Sequence, residues 1–145
     1  HLPPTVAAQT LAIGRRYGLR ALRVPVEPAA VLAEVEPRVR RWPGHMTAPW
    51  VARLGRRARH AGLQVPDAVF GLAWSGAMTP SRLTGLLRHL PEGCTEIYTH
   101  PATSDVFDGH APGYRYADEL AALTAASAIA AARRPGVLLG GYSDF

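Results

Sequence analysis

With 145 residues the chain is long enough for one modest domain with a buried core, and its single cysteine, Cys94, excludes an internal disulfide. No apolar run reaches membrane-spanning length, because the alanine-rich segment 120–132 is short and follows a charged turn. The net charge is +5 and all 16 basic residues are arginine, but the densest group (Arg53, Arg56, Arg57 and Arg59) has the spacing of a solvated helix face, so a nucleic-acid partner is not expected.

Residues 4–17 read as a helix. Pro4 suits its first turn, Val6, Leu11 and Ile13 form an apolar stripe, and Gly14 and Gly18 weaken and then end it. Leu19 to Val24 follows as a strand closed by Pro25. Residues 28–41 form a second helical segment that Pro37 is placed to break. Arg41 to Met46 is a turn, and Thr47 is a candidate N-cap for a helix running to about Ala61. Val65 to Leu72 gives a strand that ends at Gly71-Leu72-Ala73-Trp74-Ser75-Gly76. Thr79-Pro80-Ser81 then opens a helix through Leu90, with Leu83, Leu86, Leu87 and Leu90 as its buried stripe.

The stretch Cys94-Thr95-Glu96-Ile97-Tyr98-Thr99-His100-Pro101-Ala102 is a compact apolar and β-branched run after Pro91-Glu92-Gly93, and it reads as a short buried strand. Pro101 cannot donate to a ladder and biases His100 towards extended geometry, so the imidazole sits where strand gives way to loop. In alternating strand–helix folds that edge is where chemistry collects. A polar strand-end residue without function is the competing reading, and the stretch alone does not choose between them. A long polar loop, 101–113, carries Asp108 and His110. A helix from about Tyr116 to Arg133 and a last strand, Gly136 to Leu139, complete the chain.

Strands alternating with helices imply right-handed βαβ units and a parallel sheet. The sequence opens on a helix and on His1-Leu2-Pro3-Pro4, without Met, and reads as the middle of a longer chain. The expectation is α/β architecture forming part of a (β/α) barrel, with a doubly wound open sheet as the alternative.

Four stretches carry a family likeness. Glu96-Ile97-Tyr98-Thr99-His100-Pro101-Ala102 matches Glu-Ile/Leu-x-x-His-Pro-Gly/Ala, and His1-Leu2-Pro3-Pro4 resembles the end of a His-x-His-x-His-x-Pro cluster. Gly18 to Pro25 is similar to an Arg-x-Pro strand, and Tyr116 to Thr124 followed by Gly140-Gly141-Tyr142-Ser143-Asp144 resembles a closing helix and strand. These are features of the YdjC-like carbohydrate deacetylases, and the details resemble most the hopanoid-biosynthesis-associated subgroup, HpnK. Pro3 departs from that subgroup, which often has a further histidine there.

The resemblance implies a parallel (β/α) barrel of the glycoside hydrolase/deacetylase type, with residues 1–145 as the C-terminal half of its single domain. It implies hydrolysis of the N-acetyl group of an amino sugar, chitooligosaccharide-like or hopanoid-linked, by water activated on a divalent metal ion, Mg or Zn. The family's Thr-Ala-Asp-Asp-Phe-Gly motif, which brings the aspartate base and early ligands, is not in this sequence, so the 145-residue chain by itself is expected to show no deacetylase activity. His100 suits the proton donor to the leaving amine, since imidazole titrates near neutral pH. Arg23 suits a bidentate hold on the base carboxylate, with a surface arginine as the plain alternative. Trp74 and Tyr142 are candidate substrate contacts, although core packing is the commoner fate of tryptophan. His1 is the candidate metal residue, as ligand, neighbour of a ligand or bystander.

A half-barrel without turnover, with only a packing or binding role, is the competing function. A sugar-phosphate barrel enzyme is a third, and no Gly-rich phosphate loop supports it. The expected partners are an N-acetylated sugar and, through an unpaired strand edge, further copies of the chain. The expected location is cytoplasmic.

Overall fold

The computed structural model describes residues 3–39 and 48–144. The proposed roles of His1 and of the Thr47 cap therefore lie outside the described residues. Helix α1 (Pro4–Arg16) starts with Pro4 in its first turn, where the missing N–H costs nothing. Helix α2 (Ala29–Val35) stops at Glu36, since the residue before a proline is driven out of helical geometry. Helix α3 (Ala48–His60) turns Val51, Leu54, Gly55 and Ala58 inward and leaves Arg53, Arg56, Arg57 and Arg59 in solvent, as their spacing requires.

Strand β1 (Ala68–Phe70) pairs in parallel with strand β2 (Thr95–Ile97), in the register Ala68–Thr95, Val69–Glu96 and Phe70–Ile97. Helix α4 (Pro80–Arg88) connects them as the crossover, capped by the Thr79 hydroxyl, which accepts the Arg82 N–H at 3.3 Å. Residues 19–26 run along the other side of β1. A parallel bridge, Ala21 to Gln64, ties the segment to the chain leading into β1, and the bond from Val69 N–H to Val26 O (2.8 Å) ties it to β1 itself. The strand expected over Leu19–Val24 is thus an extended segment stitched at a few points, with Pro25 supplying no N–H to continue the ladder.

Two apolar clusters form the core, and β1 and β2 pack into the first of them. Phe70, Trp74, Met78, Leu83, Leu86 and Leu87 pack with the later helices in the first, and Ala7, Val24, Val51 and Leu54 join α1 and α3 in the second. The expected long helix over Tyr116–Arg133 is two helices, α5 (Tyr116–Thr124) and α6 (Ala126–Ala132), separated at Ala125, whose ψ is 130°. The Thr124 hydroxyl bonds back to Leu120 O at 2.9 Å, which weakens the turn there. The break lets both helices lie on α4, where Thr84 Oγ1 meets Ser127 Oγ at 3.0 Å.

The strand expected over Gly136–Leu139 is irregular chain. Leu138 is 98 % exposed, and no ladder bond ties this segment to β2 among the described residues. A short 3-10 turn, Tyr142–Asp144, follows. Among the described residues no helix is long and apolar enough to cross a membrane.

A candidate active site at the carboxyl ends of the parallel strands

β1 and β2 run in the same direction, so their carboxyl ends open onto one edge, the place where loops of parallel folds gather chemistry. The ladder extends one residue past β2, where Tyr98 N–H bonds Phe70 O at 3.1 Å. Side chains alternate along a strand, which puts Glu96, Tyr98 and His100 on one face while Ile97 packs into the core on the other.

His100 is held from several directions. Its backbone N–H donates to Glu119 of α5, and its ring makes edge contacts with Tyr98 (centroids 5.6 Å apart) and Tyr114 (5.1 Å). Tyr114 is fixed in turn by a 2.8 Å hydroxyl contact with Ser75, in the turn after β1. The His100 side chain is 36 % exposed, while its Nδ1 is buried. One edge of the imidazole therefore reaches solvent, which a group that exchanges protons with a bound molecule requires.

Arg23 lies on the same face. Its Nε donates to Glu96 Oε1 at 2.6 Å, and its guanidinium sits 4.6 Å above the Tyr98 ring. The Tyr142 hydroxyl donates to the other Glu96 oxygen. Burial first, and then this carboxylate, push the Tyr142 phenol well above its ordinary value, so it acts as a neutral donor. The carboxylate that Arg23 holds is therefore Glu96, inside the same motif as His100. Tyr142 reaches this cluster from the far end of the chain.

A groove of about 690 Å³ adjoins the cluster, with Arg23, Glu96, Thr99 and Tyr142 at its polar end and Leu83, Leu87, Leu123 and Leu139 along its apolar length. His100 is not part of its wall. His100 and this groove are thus neighbours, joined through Tyr98 and Thr99.

Trp74 corrects an expectation. It is 3 % exposed, packed in the core with Arg82 placed 5.3 Å over its ring, and it presents no face on which a sugar could stack. Burial, and then the carboxylates of Asp67 and Glu96, push the Cys94 thiol up, away from thiolate. His110 turns its Nδ1 to its own loop, 2.7 Å from Phe107 O.

Three carboxylates that sequence reasoning passed over organise this edge. Glu27 accepts the N–H groups of Gly71 (3.0 Å), Leu72 (3.0 Å) and Ala73 (2.9 Å), pinning the turn that follows β1. Glu119 is 1 % exposed and receives Met78 N–H at 3.1 Å as well as that of His100. Glu96 stood in the motif without a role. The available signal for Glu119 was its register, an acid between Tyr116 and Ala122 on the inward side of α5.

Burial pushes the Glu27 carboxyl above its ordinary value, against the opposing pull of its three N–H bonds. A group with a raised folded pKa contributes stability that is present below the unfolded value and lost as pH rises through the folded one. Glu27→Gln is therefore expected to flatten the decline in stability across the upper carboxylate range. It also costs about 1 kcal/mol, because one amide oxygen replaces two acceptors. Thermal unfolding of both forms from about pH 4 to about pH 7 checks this; parallel profiles would contradict it.

Among the described residues no three His, Cys, Asp or Glu side chains gather closely enough to hold a metal ion. These described residues do not by themselves form the metal site that the resemblance implies. No curated protein and no solved structure matches the chain. The family model for YdjC-like proteins matches residues 1–134, which is most of the chain and includes β1, β2, His100 and Glu119. The chain belongs to the YdjC-like protein family.

Proposed function

We propose that this chain is the C-terminal half of a longer enzyme, the intact protein of the tests below, that removes the N-acetyl group of an amino sugar with His100 as the acid that protonates the leaving amine. The observation that carries the reading is His100 itself: a half-exposed imidazole at the carboxyl end of a parallel strand, inside the Glu96–Ala102 motif of a family that is in general carbohydrate-deacetylase-like. Water adds to the acetyl carbonyl carbon, the C–N bond of the resulting tetrahedral species breaks, and a proton passes from the imidazole to nitrogen as acetate departs. Without that proton the leaving group would be an amide anion, a very poor one. The base that takes the proton of water is assigned to the family's aspartate, which this sequence does not contain. A divalent ion, Mg or Zn, belongs to the same proposal and would polarise the carbonyl and acidify water when bound. His1 is its candidate residue in this chain, as ligand, neighbour of a ligand or bystander.

The finer fold assignment is part of this proposal. Parallel β1 and β2, a helix after each and the extended 19–26 segment beside β1 support the C-terminal half of a (β/α) barrel. Tyr142 and the polar end of the groove are then the contacts for sugar hydroxyls, and a chitooligosaccharide or a hopanoid-linked glycan is the substrate class. The hopanoid-associated subgroup and a cytoplasmic setting rest on the sequence resemblance and on the lone cysteine.

Acetate release from an N-acetylated chitooligosaccharide by the intact protein, with and without a chelator, tests the reading. Release that stops on chelation and returns with Mg or Zn supports all of it. Release indifferent to chelation removes the metal and leaves the deacetylase. No release, with binding of the sugar retained, favours a half-barrel that binds without turnover.

Arg23 gives a second test. Arg23→Lys loses the planar guanidinium that holds Glu96 Oε1 and covers Tyr98, so turnover is expected to fall. Stability should change by about 1 kcal/mol or less, because the pair is partly solvent-screened. Unchanged kinetics would return Arg23 to the role of a surface charge.

A further inference from the structure

The buried Glu119 carboxylate and the buried Nδ1 of His100 lie together beneath the exposed edge of the imidazole. Glu119 is 1 % exposed, and a carboxylate at such depth is costly unless donors surround it. Two are backbone groups from different elements: Met78 N–H, before α4, reaches Oε1 at 3.1 Å, and His100 N–H reaches Oε2. Glu119 thus ties the end of β2 to α5 and to the chain entering α4. The third group is the imidazole. Nδ1 has no hydrogen-bond partner, and it stands 3.6 Å from Oε2, an ion-pair separation rather than a hydrogen bond. Among the described ion pairs, the one made by Glu119 is with His100.

We propose that Glu119 is the positioning residue of His100, holding the proton on Nδ1 so that Nε2 faces outward for exchange with the bound molecule. The neutral ring has two tautomers. With the proton on Nε2, the Nδ1 lone pair would point towards the carboxylate in a buried space without a donor. With the proton on Nδ1, the buried nitrogen becomes a donor 3.6 Å from Glu119 Oε2. The other groups facing the ring do not compete for this role. Tyr98 and Tyr114 meet it edge to face, and Ser75 is engaged with Tyr114. Arg23 lies over the Tyr98 ring and pairs with Glu96, while Glu27 is committed to the N–H groups of residues 71–73. This role rests on the reading of His100 as the acid, but the tautomer can be measured without turnover.

The experiment is a long-range proton–nitrogen spectrum of the intact protein labelled with ¹⁵N-histidine, with His100 assigned through its backbone. The expected result is the Nδ1–H tautomer in the wild type and its loss in Glu119→Gln. That variant should also lower kcat for acetate release on the order of a hundredfold, the low end of what a positioned acid is worth, with KM little changed. Glu119→Asp keeps a carboxylate and should retain more of both signals. Should Glu119→Gln fail to fold, the wild-type spectrum and the Asp variant carry the test. An Nε2–H tautomer in the wild type, or a Gln variant with unaltered tautomer and kcat, would overturn the proposal. A wild type that holds Nδ1–H yet releases no acetate upholds the positioning and defeats the deacetylase reading instead.

Discussion

Replacing His100 with alanine is expected to lower turnover of the intact protein by about 10²- to 10⁴-fold, the usual worth of a positioned proton donor. Folding should survive. The imidazole is partly in solvent, and the main-chain N–H that Glu119 accepts is still present in alanine. What the variant loses is two ring contacts, to Tyr98 and Tyr114, the ring nitrogen beside the Glu119 carboxylate, and the proton at the leaving nitrogen. Activity, bound metal and melting temperature measured together separate the roles. Activity falling alone identifies the acid. Metal content falling in parallel would make His100 a ligand, and a collapse of the melting temperature would make it structural.

The largest expected loss of stability lies at Gly71, directly after β1. Its φ is +115°, a conformation that side chains rarely adopt, and an added Cβ would meet the carbonyl oxygen of Tyr98 head-on. Backbone cannot step aside as a flexible side chain can, so the strain of the left-handed region and the clash add. Gly71→Ala is expected to cost about 3 kcal/mol, with positive-φ strain and overpacking each contributing about 1–3 kcal/mol. Relief would pry β2 from β1 at the residue that carries the chain towards His100, so activity should fall faster than stability alone explains. Denaturant unfolding paired with kinetics measures both. A variant within about 0.5 kcal/mol of wild type would show that the turn is not held as described.

Much of this was legible because local chemistry and tertiary packing agree. Pro4, Thr79 and Pro80 mark the helix starts that form, and Pro37 marks the end of α2. The leucines of α4 and the arginines of α3 fall on opposite faces, as their spacing requires. His100 was placed at its strand end by Pro101. The strands were over-read for a physical reason: apolar, β-branched runs report burial, whereas a ladder needs a partner at the right edge. Leu19–Val24 bonds to Gln64, ahead of β1, rather than to β1 itself, and Val137–Leu139 finds no ladder partner among the described residues.

The site's carboxylates were harder to see. Glu27, Glu96 and Glu119 act through partners 19 to 73 residues away in sequence, and nothing local announces a carboxylate that will accept distant N–H groups. Trp74 shows the converse. Its place after a strand suggested a stacking platform, but the chain at Gly71–Ala73, held by Glu27, leads the indole into the core. The single helix expected over Tyr116–Arg133 failed at Thr124, where packing of two segments on α4 outweighs the continuous helix propensity of an alanine-rich run.

The most direct test of the account is to incubate the intact protein with an N-acetylated chitooligosaccharide and quantify acetate, free amine and new reducing ends together. The account predicts acetate and amine in equal amounts, no new reducing ends, and loss of both products in His100→Ala. New reducing ends without acetate, or acetate release that His100→Ala leaves intact, would contradict it.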